Sequence, residues 1–307
     1  MYNHPSRSGL RRRVLTKDDI HHLDALARAG VRFARKGPTL PPPWHAMHDQ
    51  LPADFETPEA AEAEDDVRVK KLNAHGTPDA RRLAELIKPE RLAGPHPTLA
   101  SSRYCRWARV RFVAGVDRWL QQHHGQPMHA VTLIPPDAFA QAGCLHAPQF
   151  RAARLRARFR KHFDLLGPNP EGGWLIGGLH ASFEQGDWQE TTGYQFHMHA
   201  ICNEAMIPSI DALRLRPCYA KTTRLKYPIR VKAVSEVEPW VTYMAQAYWT
   251  QRNARDAVLL ETRVRRRGRL PPPHHTEMLA WMDGQRFGEL IMMRGGDIPP
   301  WARWHGW

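Results

Sequence analysis

The 307 residues include 44 lysines and arginines against 31 aspartates and glutamates, which gives a formal net charge of +13 and a sequence pI near 10.0. This balance favours polyanionic partners, above all nucleic acid, and no apolar run is long enough to predict a membrane span. The four cysteines form no CxxC pair, which argues against a zinc knuckle or a disulfide framework. The N-terminus also lacks the apolar core of a signal peptide, so we expect a cytoplasmic protein without a membrane partner.

Residues 1–98 are predicted to be an N-terminal extension that is partly disordered. They contain a basic run, a proline cluster and an acidic stretch from Glu56 to Asp66. A segment of this composition is expected to bury little apolar surface. We predict only short helices near 17–35 and 78–88.

Residues 99–260 carry the periodic apolar patterns of a folded domain. The predicted helices cover 104–122, 148–166, 208–215 and 239–253, and the predicted strands cover 128–134, 174–184, 194–202 and 228–234. This order predicts an α+β fold with an antiparallel-rich central sheet and helices packed largely on one face. Residues 261–307 are predicted to be a basic linker followed by an aromatic C-terminal tail.

Two histidines in the strand 194–202 are the first candidate functional residues. Side chains alternate between the faces of a strand, so His197 and His199 lie on one face while their neighbours form an apolar face. If this strand pairs with 174–184 around a loop centred near 189–190, Glu184 lies close to His197. Two imidazoles and a carboxylate would make a three-ligand metal site with open positions. His180 shares the polar face and is the alternative third ligand.

The predicted helix 239–253 carries two tyrosines that could act as a nucleophile. Tyr243 and Gln246 are three residues apart and share a helical face. Tyr248 is five residues from Tyr243, roughly 140° around the helix, so one tyrosine rather than both is expected at a single site. A phenol with a pKa of about 10 needs a metal ion or a base to ionise at neutral pH.

Three segments in order resemble the motifs of the HUH endonuclease superfamily, which includes rolling-circle replication initiators, relaxases and related transposases. The segment 128–137 (MHAVTLIPPD) resembles the first motif, 196–202 (FHMHAIC) the second and 241–249 (VTYMAQAYW) the third. The resemblance implies a Rep-like, RRM-like sheet core. It also implies Mg²⁺ or Mn²⁺ bound by His197, His199 and Glu184, with Tyr243 forming a 5′-phosphotyrosine link to DNA.

The third motif departs from the family pattern at two points. Gln246 stands where the family has a lysine, which removes a cation that would hold phosphate. Tyr243 and Tyr248 are five residues apart instead of the usual four, which favours a single-tyrosine mechanism or makes Tyr248 the nucleophile.

The expected function is that of a replication initiator, a metal-dependent endonuclease that nicks and rejoins single-stranded or hairpin DNA at a replication origin. Host helicase or replication proteins are further expected partners. Trp and Tyr side chains are expected to stack on unpaired bases. The basic helix 151–161 and the segment 221–232 are expected to follow the DNA backbone. The residues expected to contact DNA are Arg151, Arg154, Arg158, Lys161, Lys221, Arg224, Lys226 and Gln246.

Two alternatives remain open. The first is a protein of the same fold that binds nucleic acid without cutting it, which the glutamine at position 246 favours. The second is a cupin-like metalloenzyme, because His197, His199 and Glu204 fit the spacing HxHx4E. The number of predicted helices argues against a β-barrel.

Overall fold

The computed structural model describes residues 55–88, 98–121, 125–185, 192–223, 225–235, 238–246, 249–253, 265–266 and 270–295. The predicted helix near 17–35 and the tryptophans of the C-terminal tail lie outside the described residues. None of the helices in these ranges is long and apolar enough to cross a membrane.

The described strands form one sheet in the order β5-β1-β4-β3-β6-β7, and two further strands pair outside this path. The strands are β1 (Met128–Leu133), β2 (Phe139–Gln141), β3 (Trp174–Gln185), β4 (Gly193–Asn203), β5 (Ile229–Val234), β6 (Thr250–Asn253), β7 (Arg265–Arg266) and β8 (Ile291–Gly295). Most pairs are antiparallel, and the pairing of β3 with β6 is parallel. The predicted α+β class with an antiparallel-rich sheet is confirmed.

The helices are α1 (Pro58–His75), α2 (Pro78–Ile87), α3 (Ser102–Gln121), α4 (Ala152–Asp164), α5 (Ile207–Arg214), α6 (Glu238–Met244), α7 (His274–Asp283) and α8 (Phe287–Leu290). Contacts on the two faces of the sheet differ. On one face, Trp119 of α3 packs edge-on against Trp174 of β3, with ring centroids 4.6 Å apart. On the other, Phe196 of β4 packs against Phe150 and against Trp281 of α7. Phe196 pairs with Ala181, so these two side chains share a face of the sheet. Trp174 is seven residues from Ala181 along β3, and because side chains alternate along a strand, Trp174 lies on the opposite face.

The interpretation of residues 1–98 as a separate extension is wrong for residues 55–88. These residues form α1 and α2, and their apolar side chains, among them Leu72, Leu83 and Ile87, are buried in the main core. Proline begins each helix after a threonine whose hydroxyl accepts a hydrogen bond from the first turn. Residues 58–66 of the acidic stretch therefore lie within a packed helix, where part of their charge is satisfied by partners from α3.

The interpretation of residues 261–307 as a linker and a tail is wrong for residues 270–295. Helix α7 buries Met278, Leu279 and Trp281, and β8 pairs with β3. The pair Arg265–Arg266 forms the short strand β7 against β6. The described C-terminal segment is thus part of the same folded unit.

The predicted helix 239–253 is also wrong in its second half. Helix α6 ends at Met244, and residues 250–253 form β6 beside β3. Trp249 is buried, and its ring contacts Tyr194, Phe196 and Trp281. Burial of this large ring in the aromatic cluster accompanies the change from helix to strand.

Candidate functional site

His197 and His199 lie side by side on one face of the sheet, as the alternation in β4 predicts. Their ring centroids are 4.6 Å apart, and the side chains are 3% and 5% exposed. The register pairs His199 with Thr132 of β1 on one side and with Gly178 of β3 on the other. The two imidazoles therefore occupy the centre of the sheet, where neighbouring strands fix their backbone positions.

Hydrogen bonds at Nδ1 orient both rings. Nδ1 of His197 lies 3.0 Å from the backbone oxygen of Gln195, and because a carbonyl only accepts, this nitrogen carries the proton. Nδ1 of His199 lies 3.1 Å from Oγ1 of Thr132. His197 therefore carries its lone pair on Nε2, the tautomer typical of metal-ligating histidines with such outer partners, and the Thr132 hydroxyl is able to accept from Nδ1 of His199 in the same way.

A third imidazole, His180, lies across from His197 in the hairpin. The register pairs His180 with His197, and its ring centroid is 5.3 Å from that of His199. Burial lowers the pKa of His180 to about 4, so this ring is neutral at pH 7. Its Nε2 donates a hydrogen bond to the backbone oxygen of Met244 over 2.6 Å.

Tyr243 reaches the histidine cluster from α6. Its half-buried ring lies with its centroid 4.5 Å from that of His199 and 6.4 Å from that of His180. Gln246 lies beyond the end of the helix, where its backbone N–H bonds to the oxygen of Tyr243. The prediction that Tyr243 and Gln246 share a helical face therefore fails, and Tyr248 lies outside the described residues.

The expectation that Glu184 lies close to His197 is wrong, because the register pairs Glu184 with Gly193. Glu184 is four residues from His180 along β3, a separation of about 13 Å in an extended strand. Among the described residues, no group of three or more His, Cys, Asp and Glu side chains is arranged to hold a metal ion. The structure thus brings together three histidines and one tyrosine.

Glu204, the third residue of the HxHx4E spacing, is also held away from the pair. Its carboxylate is hydrogen-bonded to Nε2 of His129 in β1. His129 pairs with Cys202 of β4. Because side chains alternate along a strand, Cys202 and its partner His129 lie on the face opposite His197 and His199. The residues of the cupin-like alternative do not converge.

The basic residues predicted to contact DNA are divided between two regions. One region is α4 and the residue before it, where Arg151, Arg154 and Lys161 are exposed. The adjacent Phe150 packs on Phe196, so this region lies on the sheet face away from the histidine pair. Arg158 on the same helix forms an ion pair with Asp137. Lys221 and Lys226 are exposed before β5, and Arg224 lies outside the described residues.

A different pair of cations, Arg230 and Lys232 of β5, lies on the face of the histidine pair. Arg230 pairs with Thr132, which in turn pairs with His199, so the three residues form one row across three strands. Both cations are exposed, and the Arg230 guanidinium lies 5.7 Å from the ring centroid of Tyr227, which is 61% exposed. Both residues belong to the segment 221–232 that is expected to follow the DNA backbone, but their place beside the histidine pair depends on the register of β5 with β1.

No family model, no curated protein and no solved structure matches the chain. The three sequence motifs and the geometry of the residues that they contain are therefore the basis for a functional proposal.

Proposed function

We propose that the protein is a single-stranded DNA endonuclease of the HUH type, a replication initiator that nicks and rejoins DNA through Tyr243. The observation that carries the proposal is the packing of the Tyr243 ring 4.5 Å from the ring of His199, beside a second histidine on the same sheet face. Residues from all three resembling motifs meet there, because Thr132 of the first motif is hydrogen-bonded to His199 of the second.

The chemistry is a transesterification at a backbone phosphorus atom. The phenol oxygen of Tyr243 attacks phosphorus, the new O–P bond forms, and the bond from phosphorus to the 3′-oxygen breaks. The phenol proton is lost and the departing 3′-oxygen gains a proton, which leaves a free 3′-hydroxyl and a 5′-phosphotyrosine. Attack by a 3′-hydroxyl on this link reverses the step and rejoins a strand.

His197 and His199 fit a divalent cation held through Nε2, because each has its Nδ1 directed at an oxygen atom. A cation at this position would act as a Lewis acid on a non-bridging phosphate oxygen. Nitrogen ligands match Mg²⁺ poorly, since Mg²⁺ prefers oxygen, so of the two expected ions Mn²⁺ is the better fit. Water and phosphate oxygens would complete the coordination.

The DNA strand would reach the site across β5 and β1. Thr132 is half-buried, whereas Arg230 beyond it is exposed, and adjacent strands are spaced by about 4.8 Å, so Arg230 begins about 10 Å from His199. Arg230 and Lys232 would hold backbone phosphates, and the exposed ring of Tyr227 offers a stacking surface for an unpaired base.

The test is incubation of the protein with labelled single-stranded oligonucleotides from the neighbourhood of its own gene, with Mn²⁺ present. The proposal predicts a protein–DNA adduct that survives denaturation, together with a shorter fragment that a polymerase can extend from its 3′-hydroxyl. Tyr243→Phe should abolish both products while retaining DNA binding. A shift in DNA mobility without cleavage or adduct would instead support the binding protein, the function favoured by Gln246 in place of a lysine.

A further inference from the structure

The carbonyl group of Met244 is held against the sheet by two residues of β3. His180 donates a hydrogen bond from Nε2 to this oxygen over 2.6 Å, and the His180 side chain is buried. Two residues earlier in the strand, Gly178 lies directly below the same atom. A Cβ at position 178 would come within 1.8 Å of the Met244 oxygen, so glycine at 178 permits this close approach of helix and sheet.

This contact acts on the residue that follows Tyr243. Helix α6 is seven residues long, and so short a helix has little stability of its own. Val241, Met244 and Ala245 are buried, whereas Tyr243 is half-buried over the histidines. Buried apolar contacts hold the helix on the sheet, and the directional hydrogen bond from His180 restricts its rotation and its height.

We infer that His180 is a positioning residue: its hydrogen bond to the Met244 carbonyl, above Gly178, holds Tyr243 over the pair His197 and His199. The consequence for catalysis rests on the proposed function. Because the carbonyl only accepts, the Nε2 atom of His180 carries the proton, and the lone pair of this ring is on Nδ1. His180 therefore donates from Nε2 to α6, whereas His197 donates from Nδ1 to its own strand, although all three imidazoles share a sheet face.

The experiment compares His180→Leu, which cannot donate, with His180→Gln, whose side-chain amide can donate to the same carbonyl. His162→Leu is the matched control, since His162 of α4 is similarly buried and its ring is hydrogen-bonded to the hydroxyl of Tyr219, away from α6. Each full-length variant is examined for hydrogen–deuterium exchange in residues 238–246, for Mn²⁺ affinity, and for the rate of adduct formation at saturating DNA.

Loss of one buried hydrogen bond predicts exchange in residues 238–246 that is faster by about tenfold in His180→Leu and unchanged in the control. The adduct rate should fall by about tenfold or more, because misplacement of a reacting group by 1 Å can cost about a hundredfold in rate. Mn²⁺ affinity should stay within about twofold, and His180→Gln should recover most of both losses. If His180→Leu does not fold, Gly178→Ala serves instead, since it displaces the helix while keeping the imidazole.

Three results would overturn the inference: unchanged exchange in His180→Leu, a glutamine variant that behaves like the leucine variant, or a tenfold loss of Mn²⁺ affinity, which would make His180 a ligand. A wild-type protein that forms no adduct would contradict the proposed function. The exchange comparison would still decide whether His180 fixes the helix.

Discussion

At the scale of single residues, the orientation of the two histidines depends on what lies beside them. The backbone oxygen of Gln195 fixes the ring of His197, and Gln195 is in turn held by hydrogen bonds from its side-chain amide to the oxygens of Pro135 and Ala138. His199 depends on a hydroxyl from another strand. Such outer partners determine which ring nitrogen can bind a metal ion.

Thr132→Val should weaken Mn²⁺ binding by about tenfold, because the methyl group that replaces the hydroxyl leaves Nδ1 of His199 without its orienting partner. Isothermal titration with Mn²⁺ measures the change. Thr132→Ser keeps the hydroxyl and is the control. Equal affinities for the valine and serine variants would show that the threonine does not orient the ring.

The sequence predicts that His197 and His199 share a face, because alternation is a local property of a strand. It does not predict their cross-strand partner. A shift of two residues in the centre of the hairpin decides whether Glu184 or His180 lies close to His197, and the loop that sets this register carries no strong turn signal. The sequence predicts DNA contacts for the segment 221–232, but it does not predict that Arg230 lies in the row of His199, since that position depends on the pairing of β5 with β1.

At the scale of elements, an acidic residue of α1 caps α3. The carboxylate of Asp65 accepts hydrogen bonds from Oγ of Ser101, from the backbone N–H of Ser102 and from Nε of Arg103. Asp65 is buried at the start of α3, where a negative charge interacts favourably with the helix dipole. The N-terminal helices are thus connected to the sheet through the helix that packs on it.

Asp65→Ala should destabilise the whole domain by about 3 kcal/mol, because it leaves the N-terminal donors of α3 and the Arg103 guanidinium without this partner. Urea unfolding followed by tryptophan fluorescence measures the loss. Asp66→Ala, one residue along and exposed, should change stability by less than about 0.5 kcal/mol. Equal effects of the two substitutions would mean that α1 is not integral to the fold.

The central helices and strands were predicted to within a few residues, because each carries a clear period of 3.6 or 2. The prediction failed for the second half of helix 239–253, where helical propensity competes with burial of Trp249 in an aromatic cluster built from distant residues. It failed for α1 because this helix has mixed polarity and buries Asp65 and Arg68 beside Leu72. Tertiary partners satisfy those charges, and local sequence does not show them.

At the scale of the whole molecule, the positive charge is distributed over both sides of the sheet. Arg154 and Lys161 are exposed on α4, whereas Arg230 and Lys232 are exposed on the face that carries the histidine pair. A single DNA strand bound at the histidines would contact the second group directly. The net charge alone cannot distinguish the two groups, but the sheet separates them.

The double variant Arg230→Ala, Lys232→Ala should therefore bind a single-stranded oligonucleotide about tenfold more weakly at moderate salt. The slope of log affinity against log salt should fall by about 1.4, the value for two lost phosphate contacts on a single strand. Fluorescence anisotropy over a salt series measures both quantities. Arg154→Ala, Lys161→Ala removes the same charge from the other side, and an equal effect of that control would contradict the proposed path.

The most direct test of the central claim is to identify the residue that becomes linked to DNA. The adduct formed with Mn²⁺ is digested with nuclease and protease, and the peptide that carries a residual nucleotide is sequenced by mass spectrometry. We expect a 5′-nucleotide on Tyr243, the tyrosine that packs on His199. A nucleotide on Tyr248 or on any other residue, or DNA that is cut without any covalent link, would contradict it.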